Sequence, residues 1–269
     1  MKKILVILLT GIGSIRAQQT IKCVVIDSLS LQAVEFANVG ILNKGLGTVS
    51  NEQGEFTLTV PDSLLKQTLR VSMIGYQAKI FKISEVLKLA TIELKPLAVN
   101  LNEVSVSAKK TKFKILGNET RTDNVTAGFT TSYLGTELAV RLNIKHKNTQ
   151  LRKFKANIVT GGASNPAFRL NVYKVDKNGA PGENILKENV IIHVEQIPCF
   201  IDLDLSPYGI YTDQDVYIAI EWVKAMNKNN KVMFSAKLIG AQTYFKDASQ
   251  DEWHKLPSVG VGLHAEVAY

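Results

Sequence analysis

Apolar and polar residues alternate along most of this chain with period two, the pattern of strands that bury one face. Phe56, Leu58 and Val60 alternate with Glu55, Thr57 and Thr59; Leu69, Val71 and Met73 with Thr68, Arg70 and Ser72; Ile92 and Leu94 with Thr91, Glu93 and Lys95. Turn chemistry separates the runs: two glycines within 43–47, a polar turn at 51–54, and Pro61, Asp62 and Ser63 closing a strand. Only the stretch 84–89 reads as helical. Short strands punctuated by turns predict an all-β sandwich.

The second half repeats this logic. Leu138, Val140, Leu142 and Ile144 share one face, with Glu137, Arg141 and Asn143 on the other. Further strands are marked by Phe154, Ala156 and Ile158, by Phe168, Leu170 and Val172, by Ile201, Leu203 and Leu205, and by Val216, Ile218, Ile220 and Trp222. Val232 with Phe234, and Val259 through Ala265, bring the expectation to about eight strands, a jelly-roll-like antiparallel β-sandwich. The loops at 176–182 and 227–230 are hairpin chemistry rather than crossovers. Between the halves, Pro96 interrupts the pattern and Lys109, Lys110, Lys112 and Lys114 make a basic stretch. The division expected is therefore residues 1–17 as a signal peptide, 20–95 as a first sandwich, 96–114 as a linker and 115–269 as a second sandwich.

The first 17 residues change how the rest is counted. Lys2 and Lys3 precede an apolar run beginning at Ile4, and Ala17 offers a small residue for cleavage, so an exported chain working in the periplasm or at the cell surface is expected. The run is shorter than the roughly 20 residues of a membrane-spanning helix, and no transmembrane segment is expected in the mature chain. The formal charge of +8 falls to +5 without Lys2, Lys3 and Arg16, 29 basic against 24 acidic residues. Cys23 and Cys199 are too few for a disulfide framework and are expected to be buried thiols.

Residues 20–95 resemble the carboxypeptidase regulatory-like family. The resemblance rests on Val25, Ile26 and Asp27; Ala37, Asn38 and Val39; Gly47, Thr48 and Val49; Gly54, Glu55 and Phe56; and Ile74, Gly75 and Tyr76. It implies a transthyretin-like sandwich of the kind found at the start of envelope proteins of the Bacteroidetes. Gly47 and Gly54 are expected to supply turn conformations, and Tyr76 to cap the sandwich with its hydroxyl on a partner. The chain departs from the family at Val34, often proline there, and at Ser50 and Asn51, often threonine and aspartate; the last puts any metal contact at that position in doubt. Leu101 to Val106 look like the segment that leads into the plug of TonB-dependent outer-membrane receptors. The roughly 160 residues that follow are too few for such a receptor's barrel. The second half, with Phe168, Arg169, Leu170, Val172 and Tyr173, is similar to the sandwich that accompanies this module in small envelope proteins, and that similarity implies no activity.

The candidate chemistry is sparse. Metallocarboxypeptidases carry this module beside a zinc-binding catalytic domain, but His146, His193, His254 and His264 form no HxxE or HExxH pair. His193 with Glu195, then Pro198 and Cys199, begins a zinc deaminase pattern, and Asp202 stands where the second cysteine belongs. His264 and Glu266 read as outward positions of the last strand. Asp202 with Asp204 points out of a strand; Asp213 with Asp215 beside Thr212 reads as a turn, with a calcium site as the alternative. No G-x-S-x-G elbow or phosphate loop occurs. Catalytic residues, cofactors and metals are therefore expected to be absent. The stretch 109–155 holds eleven basic residues against Glu119, Asp123 and Glu137, a patch for acidic glycans or, by default, a solvated surface; nucleic acid is not expected. Tyr244, Phe245 and Trp253 fall in a polar region read as loop and are the candidate ligand-binding residues. The expected function is a non-enzymatic interaction or scaffold protein whose partner is an envelope protein or glycan. The alternative is a carbohydrate-binding accessory protein. A hydrolase would need a pocket where acids converge with a displaced pKa.

Overall fold

The computed structural model describes residues 18–98, 112–130, 133–162, 165–224 and 231–269. The expected signal segment 1–17, the stretch 101–106 and the expected loop at 227–230 lie outside them. The described chain is strand and turn with one short helix, an all-β fold of two sandwiches.

The N-terminal sandwich consists of β1 (Gln18–Asp27), β2 (Asn38–Ile41), β3 (Leu46–Val49), β4 (Glu55–Pro61), β5 (Thr68–Ser72), β6 (Tyr76–Gln77), β7 (Lys79–Lys82), α1 (Ile83–Val86) and β8 (Thr91–Pro96). Its two sheets run β4-β1-β8-β6 and β3-β2-β5-β7. The alternating residues close the core as their spacing demands: Phe56, Leu58 and Val60 of β4 face in, with Phe56 beside Cys23 and Leu58 beside Ile21 on β1. Ser50 is fully buried; its hydroxyl accepts the Ala37 N–H at 2.8 Å and donates to the Val34 carbonyl at 2.9 Å. Asn51 Oδ1 accepts the N–H groups of Gln53 and Glu55 at 2.9 and 2.8 Å, so asparagine closes this turn through its carbonyl. Tyr76 donates its hydroxyl to Asp27 Oδ2 at 3.0 Å.

The C-terminal sandwich has fifteen strands among the described residues against the eight expected, because short edge strands flank the long ones. They are β9 (Phe113–Gly117), β10 (Thr126–Phe129), β11 (Glu137–Leu142), β12 (Thr149–Gly161), β13 (Ala167–Val175), β14 (Pro181–Asn184), β15 (Val190–His193), β16 (Cys199–Asp204), β17 (Tyr211–Thr212), β18 (Val216–Lys224), β19 (Val232–Leu238), β20 (Thr243–Lys246), β21 (His254–Leu256), β22 (Val259–Val261) and β23 (Leu263–Ala268). One sheet follows β10-β19-β12-β23-β9 and the other β14-β13-β18-β11-β20-β21. Leu138, Val140, Phe168, Leu170, Ile218, Ile220 and Trp222 fill the space between them. Phe129, Phe168, Trp222 and Phe234 pack ring against ring, with centroids 5.6 to 6.3 Å apart.

The two sandwiches are joined through the outer face of the second sheet, which period two alone assigns to solvent. Phe36 and Val49 of the first pack on Ala167 and Val223 of the second. The loop after β20 lies on the β2–β3 hairpin and the adjoining β5: the Gly45 N–H donates to Asp251 Oδ1 at 2.9 Å, and Gln250 Nε2 to Ser72 Oγ at 2.9 Å. Gly40 and Gly47 face each other across the hairpin, and a Cβ on either would lie 2.2 Å from the Ser249 carbonyl oxygen. Gly47 is therefore required for close approach of the second sandwich rather than for a turn. Gly54, with φ +74°, does occupy the turn expected of it.

Candidate ligand-binding cleft

Four strands of the second sheet set charged residues side by side on its outer face. The register pairs Arg169 on β13 with Glu221 on β18, Glu221 with Glu137 on β11, and Glu137 with Lys246 on β20. The row reads plus, minus, minus, plus across the sheet. Two carboxylates directly opposite each other repel, and the neighbouring groups offset this. Arg169 places Nε and Nη2 each 2.9 Å from Glu221 Oε2, Lys246 Nζ is 2.9 Å from Glu137 Oε2, and Asn171 Nδ2 donates to both Glu137 and Glu221 at 2.7 and 2.9 Å. Tyr173 donates its hydroxyl to Glu137 Oε1 at 2.8 Å.

Arg169, Glu221 and Glu137 are only 1–2% exposed, although their strand positions alternate correctly for solvent. Over Arg169 the cover is the N-terminal sandwich. Arg169 Nη1 donates to the Phe36 carbonyl, and Nη2 to Asn38 Oδ1, both at 2.8 Å. Burial raises the Glu221 carboxyl above its ordinary value, against the pull of Arg169. Burial also lifts the Tyr173 phenol well above the tyrosine range, assisted by the charge of Glu137.

Beside this row lies a cleft of about 420 Å³ whose walls come from both sandwiches: Arg70, Ser72 and Tyr76 on one side, Glu221, Lys246 and Trp253 on the other. That volume is within the range of small-ligand sites, roughly 300–1,000 Å³. Trp253 meets Tyr173 edge to face, centroids 5.5 Å apart, and Lys246 Nζ sits 4.2 Å from the Trp253 ring centroid.

The three candidate residues part company. Trp253 lines this cleft. Tyr244 lies on the same outer face but is packed edge to face on Tyr217 at 5.5 Å, and Phe245 turns inward against the hydrophobic core. Tyr244 and Phe245 belong to strand β20 rather than to a loop, which is why they diverge. The carboxylate row went unread in the sequence because each member alternates as a surface residue does. Its only trace is the coincidence of charged or amide side chains at outward positions of neighbouring strands.

The other candidates have structural partners. Asp215 accepts from Arg141 Nε and Nη2 at 3.1 and 2.9 Å and from the Ile144 N–H, and Asp213 from the Asn148 N–H. These bonds tie down one wall of a larger opening of about 1100 Å³ lined by 183–188 and 207–216. Asp202 sits 3.5 and 3.9 Å from Lys153 and Lys155, and Asp204 accepts from Ser206. Within the basic stretch, Lys155 also meets Glu266 at 3.8 Å, and Arg121 lies over the Phe200 ring at 3.9 Å. His193 is exposed on β15. His264 faces outward on β23 yet is only 3% exposed, and burial lowers its imidazole pKa. Asp247, Asp251 and His254 bring one ligand atom each within 4.8 Å of one another, with Asp251 already engaged by Gly45. Both cysteines are free; Cys23 is buried and donates to the Leu89 carbonyl at 3.0 Å, whereas Cys199 is half-buried.

The match to a family model is confined to the first half of the chain, and the solved structures align over more of it at low similarity. No curated protein matches the chain. Among solved structures, the chain is similar to that of the infectious bursal disease virus Gx strain, at 9% identity over 93% of this chain and 63% of that chain, TM-score 0.32. It is likewise similar to the infectious bursal disease virus VP2 subviral particle, at 10% identity over 93% and 64%, TM-score 0.31. The chain thus spans less than two thirds of the length of these virus chains. A structure of carbohydrate-binding modules of the β-sandwich superfamily aligns at 11% identity over 81% of this chain and 96% of that chain, TM-score 0.22. Residues 21–106, which take in the N-terminal sandwich, match the model of the CarboxypepD_reg-like domain.

Proposed function

We propose that this chain is an exported, non-catalytic binding protein of the bacterial envelope, whose partner, an envelope protein or glycan, seats in the cleft between the two sandwiches. The observation that carries this reading is the construction of the cleft. Both sandwiches contribute walls, and one of those walls is held rigid by a buried, charge-balanced network. A site built on fixed side chains loses little freedom on binding, which favours recognition. Export is supported by the leader-like pattern of residues 1–17, a basic start followed by an apolar run and a small residue at Ala17.

Capture from envelope extracts and binding to a glycan array, each with wild type and Trp253→Ala, test this. Capture or glycan binding that weakens at least tenfold in the variant supports the cleft. Signals equal in both proteins, or none in either, overturn it. A glycan signal in place of protein capture selects the carbohydrate-binding alternative.

One observation favours a second reading, a hydrolase: Glu137 and Glu221 converge on Asn171, Glu221 lines the cleft, and the Glu221 pKa is raised. Against acid–base work, both oxygens of Glu137 accept hydrogen bonds and Glu221 is locked to Arg169. Turnover of any glycan or peptide that vanishes in Glu221→Gln establishes the hydrolase.

A further inference from the structure

Two arginines line the cleft, and they differ in how completely their donors are used. Arg169 engages all three of its nitrogens: Nε and Nη2 on Glu221, Nη2 also on Asn38, Nη1 on the Phe36 carbonyl and the Met73 sulfur. Arg70, on β5, engages one. Its Nη1 donates to Ser72 Oγ at 3.1 Å and to Gln250 Oε1 at 2.5 Å, while Nε and Nη2 have no partner among the described residues and are not sealed from solvent.

The charges around Arg70 are already matched elsewhere. Lys246 is spent on Glu137, Arg169 on Glu221, and Lys174 on Glu183 at 2.7 Å. Arg70 has no carboxylate partner among the described residues, yet burial pulls its guanidinium below the ordinary arginine value. A partly desolvated cation without a counter-charge is unfavourable, and proteins normally pair such groups. The unpaired Nε–Nη2 edge is the side of a guanidinium that takes a carboxylate through two parallel hydrogen bonds. Ser72 and Gln250 hold the opposite edge, so the fork is oriented before any ligand arrives.

Across the cleft, Glu221 Oε1 has no hydrogen-bond partner among the described residues, so it can accept a ligand hydroxyl. Trp253 supplies an aromatic wall beside it. A carboxylate group, hydroxyls and an apolar sugar face match these three features together.

We propose that the cleft recognises an acidic sugar of the uronic acid type, with its carboxylate on the Nε–Nη2 edge of Arg70 and a hydroxyl on Glu221. This rests on the reading of the cleft as a binding site and names the ligand class for it.

The test uses the full mature chain, calorimetric titration and the arginine Nε–Hε resonances in the NMR spectrum. The probes are trigalacturonate, the neutral galactose trimer and galactose 6-sulfate. The expected result is binding of trigalacturonate at least tenfold tighter than the neutral trimer, with the Arg70 Hε signal shifted. The same binding should be weakened at least tenfold in Arg70→Met and also reduced in Arg70→Lys, which keeps the charge and loses the fork. The wild-type resonance makes the result independent of whether a variant folds. Equal binding of acidic and neutral trimers, with Arg70→Met unaffected, overturns the acidic-sugar assignment and leaves the cleft reading standing. Tighter binding of the sulfated sugar, or acid binding with an unmoved Arg70 signal, also overturns it. If no probe binds, this inference fails, and the cleft reading is then decided by envelope capture with Trp253→Ala.

Discussion

At the scale of single residues, two positions carry more than their side chains suggest. Gly47 has none, and that is its contribution: a methyl there would meet the Ser249 carbonyl oxygen at 2.2 Å, with Gly40 opposite it in the same situation. Both sides of that contact are backbone, so relief requires the hairpin or the 247–251 loop to move. Gly47→Ala should cost about 1–3 kcal/mol, as overpacking does, read as a lower urea midpoint. His264 gives a pH signature. Burial lowers its imidazole pKa from 6.5, Glu119 pulls it up, and Lys155 and Arg121 add to the lowering. The unfolded chain therefore binds this proton more readily than the native one. Stability conferred by neutral His264 is present above about 6.5 and declines as pH falls through the lowered native value. In His264→Gln that portion of the acid limb should disappear, so unfolding free energies of the two proteins measured from pH 7.5 down to 5 should converge towards acid. Parallel curves would refute the assignment.

At the scale of elements, alternation reads one face of a strand and leaves the other undetermined. Leu138, Val140 and Leu142 were legible as core because period two and apolarity agree. Glu137 sits on the opposite face of the same strand and looks equally legible as surface, yet it is 1% exposed. Asn171, Tyr173 and Lys246 of the same sheet close on it, and Arg169 in the same row meets a distant part of the chain, Phe36 and Asn38. Local pattern contains no record of either approach. The same blindness hid Arg169 and Glu221, and it made Gly47 look like a turn residue. Trp253 was within reach because an aromatic residue in a polar stretch is conspicuous by itself. The row makes its own prediction. Arg169→Met removes one charge of a buried pair and leaves Glu221 uncompensated, a loss of about 3–5 kcal/mol. The double variant Arg169→Met with Glu221→Gln should recover part of it, since the uncompensated charge is gone. A double-mutant cycle from denaturant unfolding measures the coupling, and additive losses would show that the two side chains act independently.

At the scale of the whole molecule, the question is whether two sandwiches with separate cores behave as two bodies. Each has its own buried cluster of aliphatic and aromatic residues, so each has the means to fold alone. The contact between them has the character of an interior. It contains a fully used buried arginine, two glycines that admit a backbone loop, the packing of Phe36 and Val49 on Ala167 and Val223, and Lys224 on Glu52 at 2.7 Å. Losing this contact would expose Arg169 to water and remove the covering groups that match it, so partial opening relieves desolvation only by sacrificing packing. The expected outcome is one calorimetric transition for wild type, with both cores melting together. Replacing Gly47 with Val wedges two branches against the Ser249 carbonyl without touching either core. That variant should split the transition in two, the lower belonging to the sandwich that depends more on its neighbour. Two transitions in wild type would mean that the sandwiches are coupled only weakly. The cleft, whose walls they share, would then be an adjustable opening rather than a preformed site, and binding there would incur the ordering cost that a rigid junction avoids.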